Sequence, residues 1–208
     1  MKFKMPARTT IKGRVTTIRN SAFNGILPVE KPDKEDIAFI EEKIGTDKSK
    51  SAFLCGYCGK SISSQKDHIN PLIIDGKPSG YIHEISNLIP SCESCNSIKS
   101  NDTLEQFFDN PKFTCKLSES ELIDRKRIVE EYQEYFRKKY GKLVKLNFEE
   151  IVDSDLWEEY LNKTEEILEL MRSTSDMYNK IKVELSTYYS ANKESLKADN
   201  FLEEKQKI

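Results

Sequence analysis

Apolar positions divide the chain into stretches of different periodicity. Ile18, Ala22, Phe23 and Ile26 recur at helical spacing behind Thr16 and Thr17, either of which can cap a short helix that Pro28 ends. A second helix is expected from around Asp33, with Ile37, Ile40 and Ile44 on one face and Gly45 as its stop. Thr46 to Ser51 is polar and reads as a linker. From Phe53 to about Ser100 the pattern breaks up: Gly, Cys, Asn, Ser and Pro punctuate short apolar runs, which predicts tight turns and short strands. Helix resumes at Thr103–Phe108, with Leu104, Phe107 and Phe108 inward, until Asn110-Pro111. Ser118-Glu119-Ser120-Glu121 is a capping box, and it opens a helix bearing Leu122, Val129, Tyr132 and Phe136 that ends near Gly141. Two further helices are predicted, one carrying Leu156, Tyr160, Ile167, Leu168 and Met171, the other Met177, Ile181, Leu185 and Tyr188. Residues 192–208 are polar and expected to fray. The reading is an α+β protein in three parts: a basic helical segment over 1–50, a small turn-rich core over 51–117, and a helical C-terminal domain over 118–208.

Composition adds limits. Charged residues make up 33% of the 208-residue chain and hydrophobic ones 37%, which suits a soluble, rather helical protein. No run of about 18 apolar residues exists, so no membrane span is expected. Nor does an apolar stretch follow the positive N-terminus, so no secretory signal is expected and a cytoplasmic location is. The net charge of −2 is uninformative, but its distribution is not. Residues 1–20 hold six basic side chains (Lys2, Lys4, Arg8, Lys12, Arg14, Arg19) and no acidic one, whereas residues 118–208 are net −5. A basic front half is the footprint of a phosphate-binding surface, and Arg14 and Arg19 are its candidate DNA contacts. A solvated basic tail would look the same.

Four of the five cysteines form two pairs, Cys55-Gly56-Tyr57-Cys58 and Cys92-Glu93-Ser94-Cys95. In a chain without a secretion signal, this favours metal over disulfides. Two-residue spacing lets both thiolates of each pair reach one tetrahedral zinc, and four thiolates leave that ion no open position, so its role is structural. Cys115 stands apart and is expected to be a buried or half-buried thiol. The 33 residues between the pairs exceed those of an ordinary four-cysteine finger, so something else is housed there.

The intervening residues are chemically suggestive: Asp67-His68-Ile69-Asn70-Pro71, then Asn87-Leu88, then Asn96 directly after the last paired cysteine, and Lys99. Phosphodiester hydrolysis needs a water deprotonated near neutral pH and a cation on the developing charge. Histidine, with an ordinary pKa of about 6.5, suits the first task. Carboxylate and amide oxygens suit Mg²⁺ for the second. In order and spacing the segment resembles the HNH endonuclease family, whose motif runs C-x-x-C, D-H-I-x-P, N-L, C-x-x-C-N-x-x-K. The resemblance implies a ββα-metal core over about 53–110. It makes Asp67 and Asn96 ligands of a catalytic divalent ion, His68 the general base, and Asn87 the brace that orients the histidine. Many relatives carry histidine where Asn96 stands. Lys99, one turn on, is a candidate DNA contact. His83 matches no catalytic position of the motif and reads as a loop residue.

Thr16-Thr17-Ile18-Arg19-Asn20 and Gly80-Tyr81-Ile82-His83-Glu84-Ile85 extend the resemblance, over roughly residues 8–110, to a bacterial subgroup similar to restriction endonucleases. That subgroup's chemistry implies double-stranded DNA as substrate, with 5′-phosphate and 3′-hydroxyl ends. Palindromic recognition would call for a homodimer. Three other readings compete: a phage or mobile-element HNH nuclease that nicks as a monomer, a zinc-stabilised DNA-binding module without catalysis, and a helical scaffold. The joint presence of Asp67, His68, Asn87 and Asn96 argues against the binding module, and a scaffold would leave the two cysteine pairs unexplained.

Overall fold

In the computed structural model, which describes residues 10–205, a single 3₁₀ turn (Lys12–Arg14) leads into α1 (Val15–Asn24). The helix therefore starts before the threonines expected to cap it, and ends at Gly25 rather than Pro28. Lys2, Lys4 and Arg8 of the basic segment lie outside the described residues. Helix α2 (Lys34–Ile44) has Asp33 as its N-cap in a reciprocal box with Asp36, and stops at Gly45 in a left-handed conformation (φ 86°). The polar stretch that follows is not a plain linker. Strand β1 (Thr46–Asp47) pairs with β2 (Ala52–Phe53) in a short hairpin, whose turn Asp47 holds by accepting from the Ser49 amide and hydroxyl.

The centre of the fold is the antiparallel pair β3 (Gln65–His68) and β6 (Leu88–Ser91), in register Asp67 to Ile89 and His68 to Leu88. Between them lies the small hairpin β4 (Ile73–Ile74) and β5 (Lys77–Pro78). Helix α3 (Glu93–Lys99) follows β6 and completes a ββα unit; α4 (Leu104–Phe108) and α5 (Pro111–Thr114) come next. Tyr57, Phe107 and Phe113 are fully buried and in ring contact, Tyr57 to Phe107 at 4.8 Å and Phe107 to Phe113 at 4.2 Å. Gly56 is required where it stands. A Cβ there would come within 2.6 Å of Ile89, because the Gly56 amide donates to the Pro90 carbonyl across a tight approach.

Helix α6 (Glu119–Tyr140) opens on the Ser118 capping box and buries Val129, Tyr132 and Phe136 in the same core. The Tyr132 hydroxyl donates to the Leu88 carbonyl, and Arg125 donates to the Gly56 carbonyl. Lys139 and Tyr140 both reach the buried Asp36 of α2. Further on, the Val144 amide donates to the buried Glu84, ahead of the short α7 (Phe148–Ile151).

These contacts pack α6 into the same core as the turn-rich segment. One compact unit is Asn20–Trp157, and the second comprises the described residues up to Arg19 and from Glu158 onward. That second unit contains most of α8 (Ser154–Lys205), one continuous helix of 52 residues where two were expected. The polar interval Ser173–Thr174 does not break it, because both hydroxyls donate back to the Leu170 carbonyl. Cys115 is exposed, contrary to expectation. Among the described residues no helix is long and apolar enough to cross a membrane.

Candidate active site and metal cluster

Cys55 and Cys58 lie in the turn after β2, while Cys92 and Cys95 flank the start of α3. All four are buried, and their sulfurs lie within 4.8 Å of one another. A tetrahedral zinc with Zn–S of about 2.3 Å would draw them to about 3.8 Å, so the cluster fits such an ion with a small contraction. The electrostatics agree. Hydrogen bonds from Cys55 and Cys95 hold the Cys58 thiol far below its ordinary value, while the Cys55 thiol is pushed up to about 11. One sulfur's negative charge is thus gained at its neighbours' expense, a conflict that a dication resolves.

Strand alternation puts Gln65 and Asp67 on the α3 side of β3, and helical spacing places Asn96 and Lys99 one turn apart opposite them. Two rungs result: the Asn96 amide donates to Gln65, and the Lys99 ammonium lies 3.3 Å from Asp67 Oδ2. Asp67 Oδ2 also accepts from the Tyr57 hydroxyl at 2.6 Å. Lys99 Nζ donates in addition to the His68 carbonyl at 2.8 Å and is 0% exposed. The candidate DNA contact at Lys99 is therefore corrected: its charge is spent inside the protein on Asp67 and the end of β3. Burial raises the Asp67 pKa and lowers that of Lys99, while the attraction between them opposes both shifts.

His68 is the last residue of β3, and the chain turns immediately after it. Asn87 fixes this turn from across the sheet. Its Oδ1 accepts from the Asn70 amide at 2.8 Å and its Nδ2 donates to the Asn70 carbonyl at 3.1 Å, while the Ile69 amide donates to the Asn87 carbonyl. Asn87 is fully buried. Its side chain acts on the loop and makes no hydrogen bond to the imidazole of His68. Burial, with His83 and Lys99 nearby, lowers the His68 pKa to about 4, so the ring is neutral at pH 7.

Asp67 and His68 open together onto a polar cavity of about 130 Å³, also lined by Asn20, Asn24, Ser100 and Asn101. Among the described residues the buried Asn24 Oδ1 has no hydrogen-bond partner. A carboxylate and an unsatisfied amide oxygen in one cavity fit a hard divalent cation. Asn96 is half-buried, hydrogen-bonded to Gln65, and absent from the cavity lining, so the structure does not bring it to Asp67. Of the candidate DNA contacts in the N-terminal segment, Arg14 is exposed and Arg19 half-buried.

Residues 55–102 match the family model for HNH endonucleases. The match covers the HNH domain and leaves the helices on either side unassigned. No curated protein and no solved structure matches the chain. An HNH domain supports a nuclease-type function, with DNA as the substrate it implies and a divalent metal as its general requirement. Sequence reasoning missed three features of the site. Tyr57 occupies a variable position between two cysteines. Lys99 was read as exposed because lysine almost always is. His83 was read as a loop residue, yet its Nδ1 lies 3.0 Å from His68 Nε2. A second histidine in a chain with only two was the one available signal.

Proposed function

We propose that this protein is a metal-dependent endonuclease of restriction type, hydrolysing double-stranded DNA with His68 as general base. The observation that carries the reading is the pairing of a buried carboxylate, Asp67, with a neutral imidazole, His68, at the mouth of one polar cavity. Asp67 would hold Mg²⁺, with Asn96 as the second protein ligand once its amide leaves Gln65. Bound there, the ion supplies positive charge to the phosphodiester as negative charge develops. His68 takes the proton of the attacking water. Its low pKa keeps it free to do so at pH 7, and an incoming phosphodiester anion raises its basicity. Asn87 holds the turn that sets where the imidazole stands. Cys55, Cys58, Cys92 and Cys95 hold a structural zinc that fixes the turn after β2 against the start of α3. Arg14 and Arg19 contribute phosphate contacts, a homodimer supplies the symmetry for a palindromic site, and the protein works in the cytoplasm.

The test is direct. Purified protein is incubated with Mg²⁺ or Mn²⁺ and mixed plasmid and genomic DNA, beside His68→Ala. Cleavage by the wild type that His68→Ala loses, with zinc content unchanged, supports the assignment. Sequencing the ends then separates paired symmetric cuts, expected of a restriction enzyme, from single-strand nicks, expected of a mobile-element nuclease. A wild type that binds DNA and cuts none with either ion refutes the nuclease reading.

A further inference from the structure

Among the described residues the imidazole of His68 has one hydrogen-bond partner, and that partner is another imidazole. His83 Nδ1 lies 3.0 Å from His68 Nε2, with ring centroids 4.9 Å apart. The other nitrogen of His83, Nε2, lies 3.0 Å from the main-chain carbonyl oxygen of Asn24. A carbonyl can only accept, so His83 Nε2 must carry a proton. In a neutral imidazole the second nitrogen is then a lone-pair acceptor, and His68 Nε2 must be the donor to it. Only one nitrogen of neutral His68 can be protonated, which leaves its Nδ1 with the free lone pair. Three groups in series, Asn24 carbonyl, His83 and His68, thus admit one arrangement of protons when both rings are neutral.

We propose that His83 is the positioning residue of the active site: it holds His68 in the Nε2-protonated tautomer and presents Nδ1 as the atom that receives the proton of the attacking water. The assignment of His68 as base is taken from the proposed function, and the role of His83 is added to it. His83 is half-buried and does not line the cavity, so it acts through His68 and not on the substrate. Its main chain is held through both its amide and its carbonyl. The His83 amide donates to the Pro28 carbonyl at 3.1 Å, and its carbonyl accepts from the Glu30 amide at 2.8 Å. Neighbouring Glu84 is buried and holds the Val144 and Ser86 groups. The anchor of the series, Asn24, stands at the end of α1, outside residues 55–102 that match the family model. The N-terminal segment therefore completes the nuclease core by supplying the acceptor that fixes the histidine pair.

The chain holds only two histidines, which makes the proposal readable by spectroscopy. In the full-length protein labelled with ¹⁵N-histidine, long-range ¹H–¹⁵N spectra at neutral pH distinguish protonated from lone-pair ring nitrogens, and His83→Phe assigns the two rings. His68 is expected to be protonated at Nε2 in the wild type and to become a mixture of tautomers in His83→Phe. Under single-turnover conditions with Mg²⁺, His83→Phe should lower the cleavage rate by about 10²-fold or more with little change in DNA affinity, since a general base contributes about 10²- to 10⁴-fold. His83→Asn should restore most of the rate, because its Oδ1 falls near the position of the imidazole Nδ1 and can accept from His68. A His68 protonated at Nδ1 in the wild type would overturn the proposal. So would a His83→Phe protein that cuts at the wild-type rate, or a folded, zinc-loaded His83→Asn that cuts no better than His83→Phe. A wild type inactive on all DNA refutes the base assignment, and the tautomer spectrum still decides whether His83 orients His68.

Discussion

Lys99→Met removes a fully buried ammonium while nearly preserving the length of the side chain. At 3.3 Å from Asp67 Oδ2, the attraction lost is about 5 kcal/mol at an effective dielectric of about 20. The charged hydrogen bond to the His68 carbonyl adds about 2 kcal/mol. Lys99 no longer has to be desolvated in the variant, which offsets part of this, and the net expected destabilisation is about 3–5 kcal/mol at pH 7, as for other buried pairs broken on one side. Urea unfolding of zinc-loaded protein in Mg²⁺-free buffer measures it. Asp67→Asn/Lys99→Met should recover part of the loss, since no uncompensated charge is then buried. The pH dependence carries a sign. Losing the cation raises the folded-state pKa of Asp67 further, so the folded variant binds the extra proton and its deficit shrinks as pH falls from 7 towards 5. A loss below about 1 kcal/mol, or one independent of pH, would refute the reasoning, since that is how a solvent-exposed pair behaves.

Cys92→Ser should unfold the core, because binding of a structural zinc contributes folding free energy on the order of 10 kcal/mol; zinc content and near-UV circular dichroism report it together. The pH profile of kcat/KM, which reports the free enzyme, should show no break near about 6.5. Since the His68 pKa is lowered to about 4, the base stays unprotonated, and activity is held from pH 7 down to about pH 5 while circular dichroism confirms that the fold persists. A rate that halves near pH 6.5 in folded protein would show an unperturbed histidine.

Signals confined to one turn of chain were legible in the sequence. The capping box at Ser118, the Asp33 start, the Gly45 and Gly141 stops and the two cysteine pairs all depend on neighbours within a few residues. So was the ββα core, because its chemistry recurs at fixed spacing. The hairpin of β1 and β2 was not, since two-residue strands leave too few positions for alternation to show. The unbroken α8 was not, because Ser173 and Thr174 satisfy their hydroxyls within the helix instead of ending it. Lys99 meets a partner 31 residues away through the packing of α3 on β3, and His83 meets one 15 residues away from a position set by its backbone hydrogen bonds to Pro28 and Glu30. The membership of α6 in the core rests likewise on distant contacts from Arg125, Tyr132 and Lys139.

The Tyr57 hydroxyl on Asp67 changes what a cysteine pair means in this chain. In C-x-x-C notation the two inner letters are wildcards, yet Gly56 is dictated by Ile89 and Tyr57 by a carboxylate ten residues on. A Tyr57→Phe protein would keep its cysteine spacing, its aromatic core and its place in any spacing-based search, while leaving Asp67 Oδ2 with the lysine alone. Motif notation would register the two proteins as equivalent. The hydrogen bond that separates them is written in the letter the notation discards.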